Sequence, residues 1–283
     1  MNDYFLSVIL GIVEGLTEFL PVSSTAHLRI AQALLGIDLS SGYWKMFSIV
    51  IQLGAILCLP IYFWKRISEF FKSFPAGVRG DRTALNHPLT LTLLAFVCTA
   101  GPAYVLTKLI GKNLENLTLM AGSLIVGGIV MWVVDATYGN RKRPGDVENI
   151  QMGQSIWIGL CQILSAVFPG TSRSMATITA GELAGLSRET ALEFSFLLSI
   201  PTMAAATGYE LFKSIRHPED GAGALHFDTQ GIITLAIGFV VSFFVAWGVV
   251  AWFMQWVRRH GFAPFAIYRI VAGIAVLAWL VLR

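Results

Sequence analysis

The stretch EGLTEFLPVSSTAH, Glu14 to His27, concentrates carboxylates, hydroxyls and an imidazole near the start of an otherwise apolar sequence. An ionisable side chain at the centre of a bilayer costs about 2.5–3.5 kcal/mol on insertion scales, so such groups are rare there unless they have a function. We therefore expect these residues to bind a ligand or to take part in chemistry.

Glu14 and Glu18 are four positions apart, which places both carboxylates on one face of a helix. Two adjacent carboxylates repel each other unless a cation or a shared proton lies between them. Mg²⁺ is commonly held by one or two carboxylates together with phosphate oxygens. The pair therefore predicts a divalent-cation site, with Mg²⁺ as the first choice and Ca²⁺ as the alternative. A proton-carrying pair in a transporter and a structural ion pair with Arg173 are the competing interpretations.

The residues VSSTAH after Pro21 predict the start of a new helix, with Ser23 or Ser24 as its N-cap. His27 follows Ser24 by three positions and Ser23 by four, so on a helix its ring lies near either hydroxyl. A hydroxyl beside an imidazole is the minimal pair of nucleophile and base. We expect Ser24 and His27 to act in catalysis, and Ser23 and Thr25 to contact the ligand.

A second copy of this block occurs about halfway along the chain, where Gly159–Met175 aligns with Gly11–His27. The alignment pairs Glu14 with Gln162, Pro21 with Pro169 and Ser24 with Ser172. Two further blocks match in the same order, FSIVIQLGA with FSFLLSIPT and LIVGGIV with IVAGIAV. Three collinear matches predict an internal repeat.

The second block, PGTSRSMAT, predicts another helix N-terminus after a turn at Pro169–Gly170. A helix N-terminus carries a partial positive charge and unpaired N–H groups, so two of them near one point would bind an anion, phosphate above all. The planar guanidinium of Arg173 can hold two phosphate oxygens. We expect Arg173 to bind phosphate together with the nearby hydroxyls of Ser172, Ser174 and Thr177.

The composition predicts an integral membrane protein, because the 283 residues are 55% hydrophobic and only 13% charged. Six apolar runs approach the roughly 20 residues that a spanning helix needs. They are Met46–Phe63, Leu89–Ile110, Leu117–Asp135, Leu192–Phe212, Ile232–Trp256 and Phe262–Leu282. Their lack of period-2 alternation argues against a lipid-facing β-barrel.

Each half of the sequence contains a polar block broken at proline, followed by three spans. The polar blocks are too short and too polar to cross the membrane, which predicts two re-entrant helix hairpins. An odd number of spans per half inverts the second half relative to the first. The expected fold is therefore an all-α polytopic membrane protein with an inverted repeat, about six transmembrane helices and two re-entrant hairpins. We expect a single membrane domain, with halves at 1–138 and 154–283 joined by a linker at 139–153.

Positive charge predicts the orientation, since cytoplasmic loops are enriched in Lys and Arg. The loops expected on one face carry Lys65, Arg66, Lys72, Arg79, Arg82, Arg141, Lys142, Arg143, Arg258 and Arg259. The opposite face receives Lys45, Lys112, Lys213, Arg216 and Arg283. The richer face should be cytoplasmic, which puts both termini in the periplasm of a bacterium. Asp3 stands where a signal peptide would carry Lys or Arg, so the N-terminus should remain in the mature protein.

The remaining polar residues predict little chemistry. Cys58, Cys98 and Cys161 lie in apolar segments without metal-ligand spacing and should be free thiols. The four other histidines are expected in loops or at span ends, facing water or headgroups: His87, His217, His226 and His260. The net charge of +3 gives no indication of a nucleic-acid partner. The oligomeric state stays open, with a homodimer as one option.

The two polar blocks together resemble the undecaprenyl-pyrophosphate phosphatases of bacterial cell-wall synthesis. The resemblance covers essentially the whole chain, including EFSFLLSIP at Glu193–Pro201 and PFAIYRI at Pro264–Ile270. Ala26 and Met175 stand where glycine is expected in many members. The resemblance implies an inverted-repeat membrane fold with two re-entrant hairpins, located in the bacterial inner membrane, and a site reached from the periplasm.

The resemblance also implies an activity. The substrate would be a C55 polyprenyl pyrophosphate, hydrolysed to the monophosphate carrier lipid and inorganic phosphate with a divalent cation. Matched by position, Glu14 and Glu18 form the acidic pair, Ser24 and His27 the serine–histidine element, and Arg173 the phosphate-binding arginine. Whether Ser24 attacks phosphorus or His27 activates water stays open. The alternative function is a proton-coupled transporter or a flippase of an anionic lipid, for which inverted repeats are also typical.

Overall fold

The computed structural model describes residues 2–38, 41–110, 116–139, 145–216 and 229–282, and these form α-helices and connecting turns without a strand. The helices are α1 (Asp3–Thr17), α2 (Ser24–Leu34), α3 (Gly42–Tyr62), α4 (Trp64–Ser73), α5 (Pro88–Ile110), α6 (Leu117–Tyr138), α7 (Met152–Val167), α8 (Arg173–Leu183), α9 (Arg188–Arg216), α10 (Thr229–His260) and α11 (Ala263–Leu282).

Six of these helices are long and apolar enough to cross a membrane. They are α3, α5, α6, α9, α10 and α11, which confirms the six spans predicted from hydropathy. The other long apolar helices, α1 and α7, have 15 and 16 residues, and each is followed by a turn and an 11-residue helix. Both polar blocks are therefore helix–turn–helix elements. That each of the two elements enters and leaves the membrane on the same side stays a prediction.

The described chain forms two compact units, and each draws on both halves of the sequence. Unit 1 comprises Met1–Phe19, Ser24–Tyr62 and Ser199–Ala251. Unit 2 comprises Leu20–Ser23, Phe63–Leu198 and Trp252–Arg283. The division into two repeat halves with a linker at 139–153 stays a prediction, and residues 140–144 of that linker lie outside the described residues.

In unit 1, α1 packs against α2, α3 and α10. Its apolar face supplies Leu6 and Leu10 to a buried cluster that also contains Leu28, Ile37, Phe47 and Ile51. The Ser7 hydroxyl donates to the Thr234 carbonyl of α10 at 2.6 Å. Gly11 lets the helices approach closely, because a Cβ there would lie 2.9 Å from the Gly238 carbonyl oxygen.

Unit 2 repeats this contact with different helices. The Ser155 hydroxyl of α7 donates to the Leu91 carbonyl of α5. A Cβ on Gly159 would lie 2.4 Å from the Ala95 carbonyl oxygen. The sequence alignment pairs Gly159 with Gly11, and Ser155 and Ser7 each lie four residues before these glycines. The same small and polar residues thus pack a helix from one half of the sequence on a helix from the other half, as a duplicated helix would.

His87 is a correction to the sequence prediction, because it is fully buried rather than facing water. Its Nδ1 accepts the Leu89 N–H at 3.2 Å, its Nε2 lies 3.3 Å from the Ser73 hydroxyl, and the rings of Phe70 and Phe74 pack edge-on against it. His260 is exposed, as expected. Other residues of these predictions lie outside the described residues: Lys112, Arg141, Lys142, Arg143, His217, His226 and Arg283.

Candidate active site

The carboxyl groups of Glu14 and Glu18 lie close to each other at the end of α1 in unit 1. Both side chains are buried, with 2% and 7% of their surface exposed. Oε1 of Glu14 has no hydrogen-bond partner among the described residues. Two ionised carboxylates this close would repel each other, so the pair suits a shared proton or a cation between them.

Ser24 connects this carboxylate pair to α2. Its hydroxyl donates to Oε2 of Glu18 at 2.5 Å. Ser24 is the first residue of α2, and Ser23 before it adopts a left-handed backbone with φ 75°. Ser24, at the N-terminus of α2, thereby lies beside Glu18 at the end of α1. His27 follows one helical turn later and is half-buried, whereas Thr25 is exposed.

The second polar block has the same backbone in unit 2. Ser172 has φ 67° and caps α8, where its hydroxyl accepts the Met175 N–H at 3.4 Å. In both blocks a left-handed serine directly precedes the helix, so the backbone pairs Ser172 with Ser23. The sequence alignment paired it with Ser24, one residue later, because it counted residue types and not backbone conformation.

Arg173 opens α8 and is partly exposed. Its Nη1 donates to the Ser195 carbonyl of α9 at 3.4 Å. The Ser195 hydroxyl bonds to that of Thr177 at 2.6 Å, and Thr177 also donates to the Arg173 carbonyl. Ser195 thus ties Arg173 to α9. It was missed in the sequence because a single serine in an apolar span is an ordinary packing residue.

The turn Leu20–Ser23 belongs to unit 2, where it meets the second block. The Ser174 hydroxyl donates to the Leu20 carbonyl at 3.0 Å and lies 3.1 Å from the Ser172 hydroxyl. Ser174 and Thr177 are almost completely buried, with 1% and 0% exposed. Their hydroxyls bond within the protein, whereas Ser172 and Arg173 keep exposed surface.

Arg269 of α11 contacts the same turns and was also missed. Its guanidinium donates to the carbonyls of Pro21 at 3.0 Å, Ser123 at 3.1 Å and Gly170 at 3.2 Å. The available signal was a lone arginine within the apolar run Phe262–Leu282, since intramembrane charges are functional by default. That signal could not show which backbone groups the guanidinium would reach.

The carboxylate pair is a suitable but incomplete ligand set for Mg²⁺ or Ca²⁺. Among the described residues, no group of three or more His, Cys, Asp or Glu side chains could hold a metal ion. Glu14 and Glu18 supply hard oxygen ligands, and the unpartnered Oε1 of Glu14 fits a cation that takes its remaining ligands from phosphate and water.

Each unit therefore contains a separate chemical capacity. Unit 1 holds a hydroxyl bonded to a carboxylate, with an imidazole one turn away, which is suited to nucleophilic or general-base chemistry. Unit 2 holds an arginine and a helix N-terminus capped by Ser172, which is suited to binding an anion.

Known proteins are similar in sequence to this chain over nearly its full length. The model of the family described as bacitracin resistance protein BacA matches residues 7–275. A protein of Koribacter versatilis named undecaprenyl-diphosphatase is 64% identical over 100% of both chains. Proteins of the same name from Albidiferax ferrireducens and Novosphingobium aromaticivorans are 42% and 41% identical, covering 96% and 100% of this chain and 93% and 100% of their own. The chain therefore belongs to the bacitracin resistance protein BacA family.

Proposed function

We propose that this protein hydrolyses undecaprenyl diphosphate to undecaprenyl monophosphate and inorganic phosphate, which recycles the lipid carrier for cell-wall synthesis. Relatives up to 64% identical over the full length carry the name undecaprenyl-diphosphatase, and six helices suit a lipid substrate. The observation that carries the proposal is the hydrogen bond from the Ser24 hydroxyl to Glu18, one turn before His27. Transport of a lipid would not require this arrangement.

Arg173 and the N-terminus of α8 bind the diphosphate in this proposal. The guanidinium contributes a permanent charge and a planar pair of donors, and the Ser172-capped helix end contributes backbone N–H groups. Both stabilise the negative charge that builds up on the phosphoryl oxygens in the transition state.

In the first route the Ser24 oxygen attacks the terminal phosphorus while its proton passes to Glu18, which already accepts its hydrogen bond. The bond from this phosphorus to the bridging oxygen breaks, and undecaprenyl monophosphate leaves. Water then hydrolyses the phosphoserine and releases phosphate. In the second route His27 takes a proton from water, and the water oxygen attacks the same phosphorus directly. The bond from this phosphorus to the bridging oxygen breaks, and undecaprenyl monophosphate and inorganic phosphate leave.

A divalent cation, Mg²⁺ or Ca²⁺, would be held by Glu14 and Glu18 in this proposal. When bound, it would neutralise charge on the phosphoryl oxygens. We expect EDTA to abolish phosphate release and added Mg²⁺ to restore it. Mn²⁺ used as a paramagnetic probe should bind the wild-type protein and bind at least about tenfold more weakly to the Glu14→Gln variant. Equal Mn²⁺ binding by both proteins would contradict the assignment of Glu14 and Glu18 as metal ligands.

The test of the function is phosphate release from undecaprenyl diphosphate by the purified protein in detergent with Mg²⁺. Detergent removes the second compartment, so a transporter or flippase would release nothing. We expect release by the wild type and by the exposed-residue control Glu69→Gln, but not by Arg173→Ala. A folded, pure wild-type protein without release would exclude the hydrolase.

The location follows from the lipid substrate and the family. The multi-span chain fits the bacterial inner membrane. The proposal includes periplasmic termini and a site open to the periplasm, supported by the distribution of Lys and Arg in the sequence. A homodimer remains a prediction.

A further inference from the structure

The guanidinium of Arg269 is completely buried between the two polar turns of unit 2. It donates only to carbonyl groups, those of Pro21, Gly170 and Ser123, and in the described part of the chain it forms no ion pair. Burying a charge costs free energy unless it is paired, and carbonyl groups compensate less than a carboxylate would. A buried arginine that is bonded to carbonyl groups and not to a carboxylate therefore indicates a role other than packing.

The hydrogen bonds to the Pro21 and Gly170 carbonyls place Arg269 beside the turns that precede α2 and α8. Pro21 lies between Glu18 and Ser24 in the chain, and Gly170 lies three residues before Arg173. Fixing a turn carbonyl restricts the φ and ψ of the residues that follow it. One guanidinium thus restricts the backbone of both turns, because its Nη1 and Nη2 point in fixed directions.

The neighbouring helix leaves room for this guanidinium at a glycine. A Cβ on Gly127 of α6 would lie 2.4 Å from Nη2 of Arg269 and 2.7 Å from the Met175 Cε. An alanine at this position would therefore force the guanidinium away from the turns. Gly127 gives an independent means to disturb the clamp without changing Arg269 itself.

We propose that Arg269 is a positioning residue that clamps the turns at Pro21 and Gly170 to each other, and so fixes the backbone that leads into Ser24 and the backbone that leads into Arg173. This inference rests on the proposed function. Arg269 itself touches no reacting atom. Its loss should lower kcat more than it raises KM, because misplacement of reacting groups by about 1 Å can cost on the order of 10²-fold in rate.

The experiment compares Arg269→Met and Gly127→Ala with the control Gly273→Ala. Gly273 lies one turn after Arg269 in α11, and a Cβ there would meet α6 at 2.7–2.8 Å without touching the guanidinium. We expect kcat to fall about 100-fold in Arg269→Met and about tenfold or more in Gly127→Ala, with KM changed less than about threefold. Gly273→Ala should keep kcat within about threefold of wild type.

Two further measurements separate a clamp from general packing. The double variant Gly127→Ala with Arg269→Met should be no slower than Arg269→Met alone, because without the guanidinium the alanine displaces only the flexible end of the Met175 side chain. Amide hydrogen exchange should accelerate at 20–26 and at 170–176 in both single variants, and should be unchanged there in Gly273→Ala.

Full kcat in a folded Arg269→Met variant would overturn the proposal, as would an equal loss in Gly273→Ala and Gly127→Ala. If Arg269→Met fails to fold, Gly127→Ala and its control still decide. Absence of phosphate release by the wild-type protein would contradict the proposed function, whereas amide hydrogen exchange would still test the clamp.

Discussion

Glu18 has two partners in the candidate site, so its substitution should reduce activity without unfolding the protein. It accepts the Ser24 hydroxyl and contacts the Glu14 carboxyl. Glu18→Gln keeps the volume of the side chain but removes the charge that attracts a cation and accepts a proton. We expect phosphate release to fall by at least about 10²-fold while the protein stays monodisperse and folded. Failure of the variant to fold would make the pair a structural element instead.

Ser24 distinguishes the two chemical routes. If its oxygen attacks phosphorus, Ser24→Ala should lower kcat by about 10³-fold or more, and rapid acid quenching of the wild type should trap a phosphoserine at Ser24. If His27 activates water, Ser24→Ala should keep most of the activity and His27→Ala should lose it. Leu34→Ala, at an exposed position in the last turn of the same helix, is the control and should change kcat little.

His87 predicts a pH effect on stability outside the spans. Burial lowers its pKa from the ordinary 6.5, and Arg82 lowers it further against an opposing effect of Glu148. The unfolded chain therefore binds the proton more readily, so the stabilisation by the neutral ring is complete above about pH 6.5 and is lost below it. The melting temperature of the wild type in detergent should fall as the pH is lowered from 7.5 to 5.5, and that of His87→Gln should fall less.

The His87→Gln variant should be about 1 kcal/mol less stable than the wild type at pH 7.5, since it loses the hydrogen bonds of the His87 ring. Equal pH dependence in both proteins would contradict this role.

At the scale of elements, the sequence predicted the helices better than their partners. Hydropathy alone predicted all six spans, because each must present about 20 apolar residues to lipid. The proline-broken blocks predicted the two helix–turn–helix elements for the same local reason. Packing partners are not local properties, so the contact of α1 with α10 and of α7 with α5 could not be predicted. The roles of Ser195 and Arg269 and the burial of His87 depend on those partners and were missed with them.

The contact of α7 with α5 predicts a position-specific effect of one methyl group. An alanine at Gly159 would meet the Ala95 backbone at 2.4 Å, whereas an alanine at Gly153 in the same helix meets nothing within 4 Å. Both substitutions favour the helix by up to about 1 kcal/mol. We expect Gly159→Ala to destabilise the protein by about 1–3 kcal/mol through overpacking, and Gly153→Ala to be neutral or slightly stabilising. Thermal unfolding in detergent measures both, and equal melting temperatures would show that α7 can shift without cost.

The whole molecule should expose opposite ends of its spans to opposite sides of the membrane. If the second half is inverted relative to the first, Arg79 and Arg258 face the cytoplasm, whereas Asn2 and Gln230 face the periplasm. All four are exposed and suit single-cysteine substitutions after Cys58, Cys98 and Cys161 are replaced.

A membrane-impermeant maleimide should label Asn2→Cys and Gln230→Cys in intact spheroplasts. Arg79→Cys and Arg258→Cys should be labelled only after permeabilisation. Retained phosphate release provides the control that each variant is folded. The fully reversed pattern would place both termini in the cytoplasm, and a mixed pattern would exclude the inverted repeat. Because the second half of an inverted repeat is upside down relative to the first, the expected pattern would also put the α1–α2 hairpin on the periplasmic face and the α7–α8 hairpin on the cytoplasmic face.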